Sequence, residues 1–254
     1  MKRGKTKNYY WASALIFIGL FMAYGLITGI DGMADPLIFP GLLKIWKAGV
    51  KSAALLGKSI VSSLRLLAPS VLLSVLAGIA AGTFVGLHER LKLILMPIFR
   101  ALNPIPPTML IPYAIAILPT FWLSSAAIIC IGVFWPVFMN TIHGIMLLEP
   151  RWFDNARCLN LKKTKLVFRV VLPGAMPQIF AGIGTGLNFS FILLTVAEIF
   201  GARAGLGYFV QYYADFAEYD RVIAGMLTLS FVVIIIMLLF DRLQNRVLHW
   251  TKKR

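Results

Sequence analysis

The chain has 254 residues, of which 59% are hydrophobic and only 14% charged, with 25 Lys and Arg against 10 Asp and Glu. Soluble domains carry about 25% charged residues, so the composition excludes an ordinary soluble domain and indicates a membrane protein. The net charge of +15 would suit nucleic acid or an anionic surface, but its distribution along the chain, described below, excludes nucleic acid.

At the N-terminus, Lys2, Arg3, Lys5 and Lys7 precede an uncharged run from Tyr9 to Ile30. A secretory signal core is about 7–15 residues long, whereas a membrane span needs about 20. The run is therefore read as a retained first span over 10–30, although Gly32-Met33-Ala34 loosely resembles a cleavage site. Lys44, Lys47, Lys51, Lys58 and Arg65 follow at spacings of 3, 4, 7 and 7. Those intervals put them on one face of an amphipathic helix lying along the outer interface before the chain turns inward. Solvation beside lipid headgroups accounts for the four lysines, and Arg65, nearer the membrane, is expected to be paired. Gly57-Lys58-Ser59 imitates the end of a phosphate loop, but the glycine that motif requires five residues earlier is Ser52.

The second span is predicted over 66–87. Within it Gly78, Gly82 and Gly86 make two overlapping G-x-x-x-G steps, and Gly182 with Gly186 makes another in the fifth. Small residues let helix backbones approach closely in lipid, so these five glycines are read as helix-packing positions. The third span, 93–118, is rich in proline, with Pro104, Pro106, Pro107 and Pro112 inside it and Pro119 just beyond. Proline removes backbone donors and bends helices. A helix broken in this way is tolerated where it faces protein or a water-filled cavity, so this span is expected to line an interior. The fourth, 121–145, ends with Asn140, Thr141 and His143.

Between the fourth and fifth spans lies a basic segment containing Arg151, Arg157, Lys162, Lys163, Lys165 and Arg169. Pro150 suits the first position of a helix, and Asp154 in the first turn suits the helix dipole. Trp152, Phe153, Ala156 and Leu159 fall on one face, and Asn160 can close the helix in a left-handed conformation. A short amphipathic helix results, with no partner evident in its own chain. It could rest on the lipid surface or serve as a docking knob for a soluble protein.

The fifth span, 176–199, carries Asn188, Ser190, Thr195 and Glu198. Charged residues within spans are costly and are usually paired or functional. Glu198 either anchors the loop over 199–220, through Arg203, or acts as a gate. Asn188 and Thr195 are seven apart and share a side; together with Asn140 they either bond helix to helix or line a translocation path. Residues 207–220 alternate aromatics with Asp215, Glu218 and Asp220, which could meet a basic partner or simply be solvated. A sixth span, 222–240, precedes a basic tail.

Six spans put both termini on one side. The N-terminal cluster, Arg90, Lys92 and Arg100, the basic segment and the tail from Arg242 then share that side and hold most of the 25 Lys and Arg residues. This is the bias expected of a cytoplasmic side, so the excess charge reports topology. Cys130 and Cys158 suggest neither a disulfide nor a metal site, and no hydrolase or metalloprotease motif occurs. No catalytic or metal-binding residue and no cofactor are expected on this chain, which is read as one all-α transmembrane domain over 1–254. A secondary transporter driven by an ion gradient is the rival reading. Inverted halves with matched broken helices would favour it, and the proline-rich third span has no counterpart in the second half.

The basic segment resembles the cytoplasmic loop of permeases of binding-protein-dependent ABC importers, marked by the pattern E-A-A-x-x-x-G-x9-I-x-L-P. Here it reads Asp154-Asn155-Ala156, then Asn160, then nine residues to Val170, and Leu172-Pro173. Aspartate, asparagine and asparagine replace the glutamate, first alanine and glycine. "SSLR" at 62–65, "NPIPPTMLIP" at 103–112, "FWPVFMNTIHG" at 134–144, "AEIFGARAGLGY" at 197–208 and Trp250 are similar to successive stretches of the nitrate/sulfonate/taurine type of permease. The resemblance implies an importer-like fold of about six transmembrane helices with a coupling loop over 149–173, in a bacterial inner membrane. It further implies two permease copies, expected to be identical, on an ATPase subunit dimer that holds the ATP and Mg. An extracytoplasmic binding protein would deliver a small solute, of the class of nitrate, a sulfonate, taurine, bicarbonate or a vitamin precursor, and membrane lipid would surround the whole. Trp152, Phe153, Asp154, Ala156, Arg157, Leu159, Asn160 and Pro173 would couple to the ATPase. Asp154 and Arg157 would make charged contacts, while Phe153 and Leu159 would fill an apolar groove.

Overall fold

The structure is a computed structural model that describes residues 15, 19, 22–29, 35, 37–102 and 105–251. Its described elements are helices in the order α1 (Leu42–Lys51), α2 (Ala53–Leu87), α3 (Glu89–Leu102), a 3₁₀ turn (Pro107–Leu110), α4 (Ile111–Ile117), α5 (Phe121–Met146) and α6 (Pro150–Cys158). Then come α7 (Lys163–Leu166), a π-helical turn (Val167–Val171), α8 (Leu172–Gly201), α9 (Leu206–Asp215) and α10 (Tyr219–Val247). Residues 58–208 and 229–254 form one compact unit, and residues up to 57 with 209–228 form another.

Among the described residues, four helical stretches are long and apolar enough to cross a membrane: Ala53–Leu87, Phe121–Met146, Lys163–Gly201 and Tyr219–Val247. Among the same residues, α3 and the Pro107–Ile117 helices taken together as one broken span would make a fifth. α3 continues through Pro97, and prolines mark the restart: Pro106 is extended, Pro107 opens the 3₁₀ turn, and Pro112 sits in the first turn of α4. The predicted first span falls largely outside the described residues, of which 22–29 are helical. The predicted amphipathic helix over 44–65 is two elements: α1 ends at Lys51, and after Ser52 the chain enters α2, which carries Lys58 and Arg65. Arg65 is exposed and makes no ion pair among the described residues, contrary to the expectation that it would be paired.

In the larger unit α5 is the central helix, lined on both sides by glycines of its neighbours. A Cβ at Gly82 of α2 would stand 2.7 Å from Thr141 Cβ and 2.8 Å from the Phe138 carbonyl oxygen. Gly78 and Gly86 face Val137 and Ile145 in the same way. On the other flank, a Cβ at Gly182 of α8 would be 2.7 Å from Asn140 Cβ, and Gly186 lies against Val133. Real Cβ atoms cannot occupy such positions without movement, so the small residues set the helix separations. The apolar core between these helices is built from Leu66, Leu67, Ile129, Val133, Val137, Leu187, Leu193 and Leu194, with Val233, Ile236 and Phe240 of α10 packed against it.

Lys163–Gly201 runs through α7, the π turn and α8 without a break. Pro173 has no N–H to give to the carbonyl four residues earlier, and the π turn over Val167–Val171 immediately precedes it. π turns absorb such a mismatch inside a helix. In the smaller unit, Gly49 of α1 approaches Ala224, where an added Cβ would lie 3.7 Å from the alanine methyl, and Gly225 lies against Phe209.

Candidate functional site

Between α5 and α8 in the chain lies the short amphipathic helix α6. Pro150 occupies its first turn. At its far end Asn160 is left-handed, with φ 47°. The Leu161 amide donates to the Ala156 carbonyl at 3.1 Å, and the Asn160 amide to Arg157 at 2.9 Å. These two bonds make the paired closure that ends a helix at a left-handed residue. The turn is the one asparagine's local side chain tolerates best after glycine.

Ala156 is buried, and Phe153 packs against the cluster of Ile145, Val171, Ala175 and Ile179. Phe153 thus has a partner in its own chain, which corrects the sequence expectation. Positions 153 and 156 are three apart and turn together toward the ends of α5 and α8. An adjoining, exposed face presents Trp152, 45% exposed, Asn155, and Leu159, 73% exposed. Asp154 and Arg157 pair with each other at 3.5 Å, both largely in solvent, where such a pair contributes little. Arg151 pairs with Glu149 at the other end. Pro173 is half-buried at the π turn, and the adjoining Gly174 lies against Leu148.

The second constellation centres on Glu198, which is 2% exposed near the end of α8. Its Oε1 accepts the Ser63 hydroxyl at 2.6 Å, and its Oε2 accepts the Gly207 amide at 2.7 Å. Ser63 Oγ in turn accepts the Leu206 amide at 2.9 Å. The carboxylate therefore ties α2 to the first turn of α9, where unpaired amides and the helix dipole favour a negative charge. Gly205, with φ +133°, lets the backbone pass so close that a Cβ there would stand 2.3 Å from the carboxyl carbon. The anchor runs through Ser63 and Gly207, not through Arg203. Sequence reasoning missed Ser63 as the partner because 135 residues separate the two, although Ser63 lies within the Ser62-Ser63-Leu64-Arg65 stretch singled out above.

The remaining polar residues of the spans do not join this cluster. Asn140 donates to the Pro136 carbonyl at 2.8 Å and lies between α5 and α8. Thr195 donates to Phe191 at 2.9 Å. Asn188 is exposed on α8 and meets no hydrogen-bond partner among the described residues, on the same side as the exposed Thr185. In the smaller unit the acidic residues find local partners: Asp215 accepts from Gln211, and Glu218 pairs with Arg221 at 3.0 Å. The Arg221 guanidinium also stacks over Tyr213. Among the described residues no group of His, Cys, Asp and Glu is arranged to hold a metal.

Among the described residues the chain is helical, with several stretches long and apolar enough to cross a membrane and a short amphipathic helix between two of them, the architecture of a multi-pass membrane protein. Residues 74–253 match the family model described as binding-protein-dependent transport system inner membrane component, and the chain belongs to that family of ABC importer permeases. It is 28% identical over 252 residues to SsuC of Bacillus subtilis (strain 168), named as a permease for aliphatic sulfonates transport; the match covers 98% of this chain and 91% of that one. It is 29% identical to the taurine transport system permease protein TauC of Escherichia coli (strain K12), over 78% of this chain and 72% of that one. With the nitrate import permease protein NrtB of Synechococcus elongatus it shares 26% identity, over 83% and 78%. Its fold is shared with the crystal structure of an amino acid ABC transporter with histidines, at a TM-score of 0.52 and 16% identity, covering 77% of this chain and 94% of that one.

Proposed function

We propose that this permease is the non-catalytic membrane subunit of an ATP-driven importer and that α6 is its coupling helix. The observation that carries the reading is the exposed Trp152–Leu159 face of a helix whose other face is packed and whose end is closed. ATP and Mg belong to a dimer of separate ATPase subunits, into which Trp152, Asn155 and Leu159 insert. Phe153 and Ala156 carry the resulting motion into the ends of α5 and α8, across the π turn before Pro173. Asp154, Arg157 and Asn160 set the charge and the closure of the helix.

The translocation path lies where α8 of one copy meets a second, identical copy. An exposed amide at Asn188 is costly against lipid and is satisfied by a partner helix or by water in a pathway. Asn140 and Thr195, bonded within their own helices, support that wall, and Glu198 holds its outer end. The cargo is a small solute handed over by an extracytoplasmic binding protein. The names of the relatives favour a sulfonate, taurine, nitrate or bicarbonate. Both termini lie in the cytoplasm of a bacterial cell whose inner membrane holds the complex. The test is uptake into proteoliposomes that contain the permease, its ATPase and its binding protein. Uptake should require ATP and fall at least several-fold for Asn188→Leu while Asn188→Ser retains it. Uptake driven by an ion gradient without ATP would overturn the reading.

A further inference from the structure

The described helix α1 divides into three faces, and only one of them is explained by packing. Ile45 and Ala48 are buried, and Gly49 approaches Ala224. Next to that face stand Leu43, Trp46 and Val50, which are 66%, 72% and 60% exposed. Beyond them Lys44, Lys47 and Lys51 form an exposed row. At 100° per residue the apolar row and the lysine row adjoin, with Trp46 closest to the packed face. No Asp or Glu occurs between Leu42 and Lys58, and none of these lysines forms an ion pair among the described residues. The chain then passes directly into α2, one of the membrane-crossing helices.

We infer that α1 is a lipid-binding helix whose lysines select anionic phospholipid headgroups. An exposed apolar strip bordered by lysines, on a helix continuous with a span, matches the boundary between acyl chains and headgroups on both sides at once. Tryptophan is favoured at that depth, with its ring among the chains and its N–H toward water. Lysine stems run along apolar surface and deliver the ammonium to the phosphate layer. Under the topology proposed above, these lysines also lie opposite the other basic clusters. The bias that places cations in the cytoplasm therefore does not account for them, and headgroup binding does. An acidic protein surface would suit the lysine row but would leave the Leu43, Trp46 and Val50 strip against water.

The test uses the full chain in nanodiscs made with equal mole fractions of brominated phosphatidylglycerol or brominated phosphatidylcholine in both leaflets. Bromine quenches tryptophan at short range, and the quenching lost in Trp46→Phe is assigned to Trp46. The inference predicts that brominated phosphatidylglycerol quenches Trp46 with an apparent affinity at least roughly five-fold greater than the choline lipid. That is the factor supplied by one lysine near an anionic surface. The preference should vanish in a Lys44→Gln, Lys47→Gln, Lys51→Gln variant, return with three arginines, and resist millimolar inorganic phosphate. Equal quenching by both lipids in the wild-type chain would overturn the selectivity. Absence of Trp46 quenching by either lipid would show that protein covers the strip and overturn the lipid assignment itself. Because both leaflets carry the probe, the result does not depend on the proposed topology or on any ATPase.

Discussion

Glu198 shows what a carboxylate does when it is almost wholly buried in a membrane protein. It accepts one hydroxyl and one amide, and the hydroxyl that it holds accepts a second amide. Glu198→Ala would leave the Gly207 amide and the Ser63 hydroxyl without acceptors. An orphaned buried donor costs about 1–3 kcal/mol. Thermal unfolding in detergent should therefore show a loss in that range for Ser63→Ala or Glu198→Ala. The double variant should lose less than the sum, since one network is removed only once; additive losses would show that the two side chains act independently. Gly205→Ala should be harsher than either, because it adds a Cβ both at a positive φ and against the carboxylate. Glu198 stood out in the sequence as a charge within a span. Its partner did not, because a serine 135 positions away gives no local periodic signal.

At the level of elements, the close approach of α2 and α8 to α5 depends on glycine. Gly82→Ala should destabilise by about 1–3 kcal/mol, the usual cost of forcing atoms into a filled contact. Gly57, also in α2 but with nothing within 4 Å of an added Cβ, is the internal control. There alanine should stabilise by about 0.5–1 kcal/mol through helix propensity alone. If both substitutions behave alike, close packing is not what Gly82 serves. The four-residue spacing of the glycines was visible in the sequence, but which helix they meet was not. A G-x-x-x-G step marks a face without naming its partner.

The closure of α6 was legible too, because asparagine at 160 is one of few residues that accept a left-handed backbone. Asn160→Val should destabilise by about 1–2 kcal/mol, whereas Asn160→Gly should be neutral or mildly favourable; circular dichroism during thermal melts distinguishes the two. The side on which Phe153 lies was not legible. Trp152, Phe153, Ala156 and Leu159 are all apolar, and only the packing of Ile145, Val171 and Ala175 separates the inward pair from the outward one. Proline content likewise foretold that the third predicted span would be broken, though not that its helical parts would be Glu89–Leu102 and Ile111–Ile117.

For the whole molecule, apolar runs announced the long helices, because a bilayer demands long uncharged helices. What the sequence could not supply was the division of α6 between a face that belongs to the permease and a face free for a partner. On the proposed reading, the exposed face of α6 docks an ATPase. The direct measurement is co-purification of the tagged permease with a co-expressed ATPase subunit of an importer of this family. Wild type would be compared with Trp152→Ala combined with Leu159→Asp, and both would be checked for an unchanged melting temperature. The double variant should stay folded and lose the ATPase. Retention of a wild-type amount of ATPase by that folded variant would contradict it.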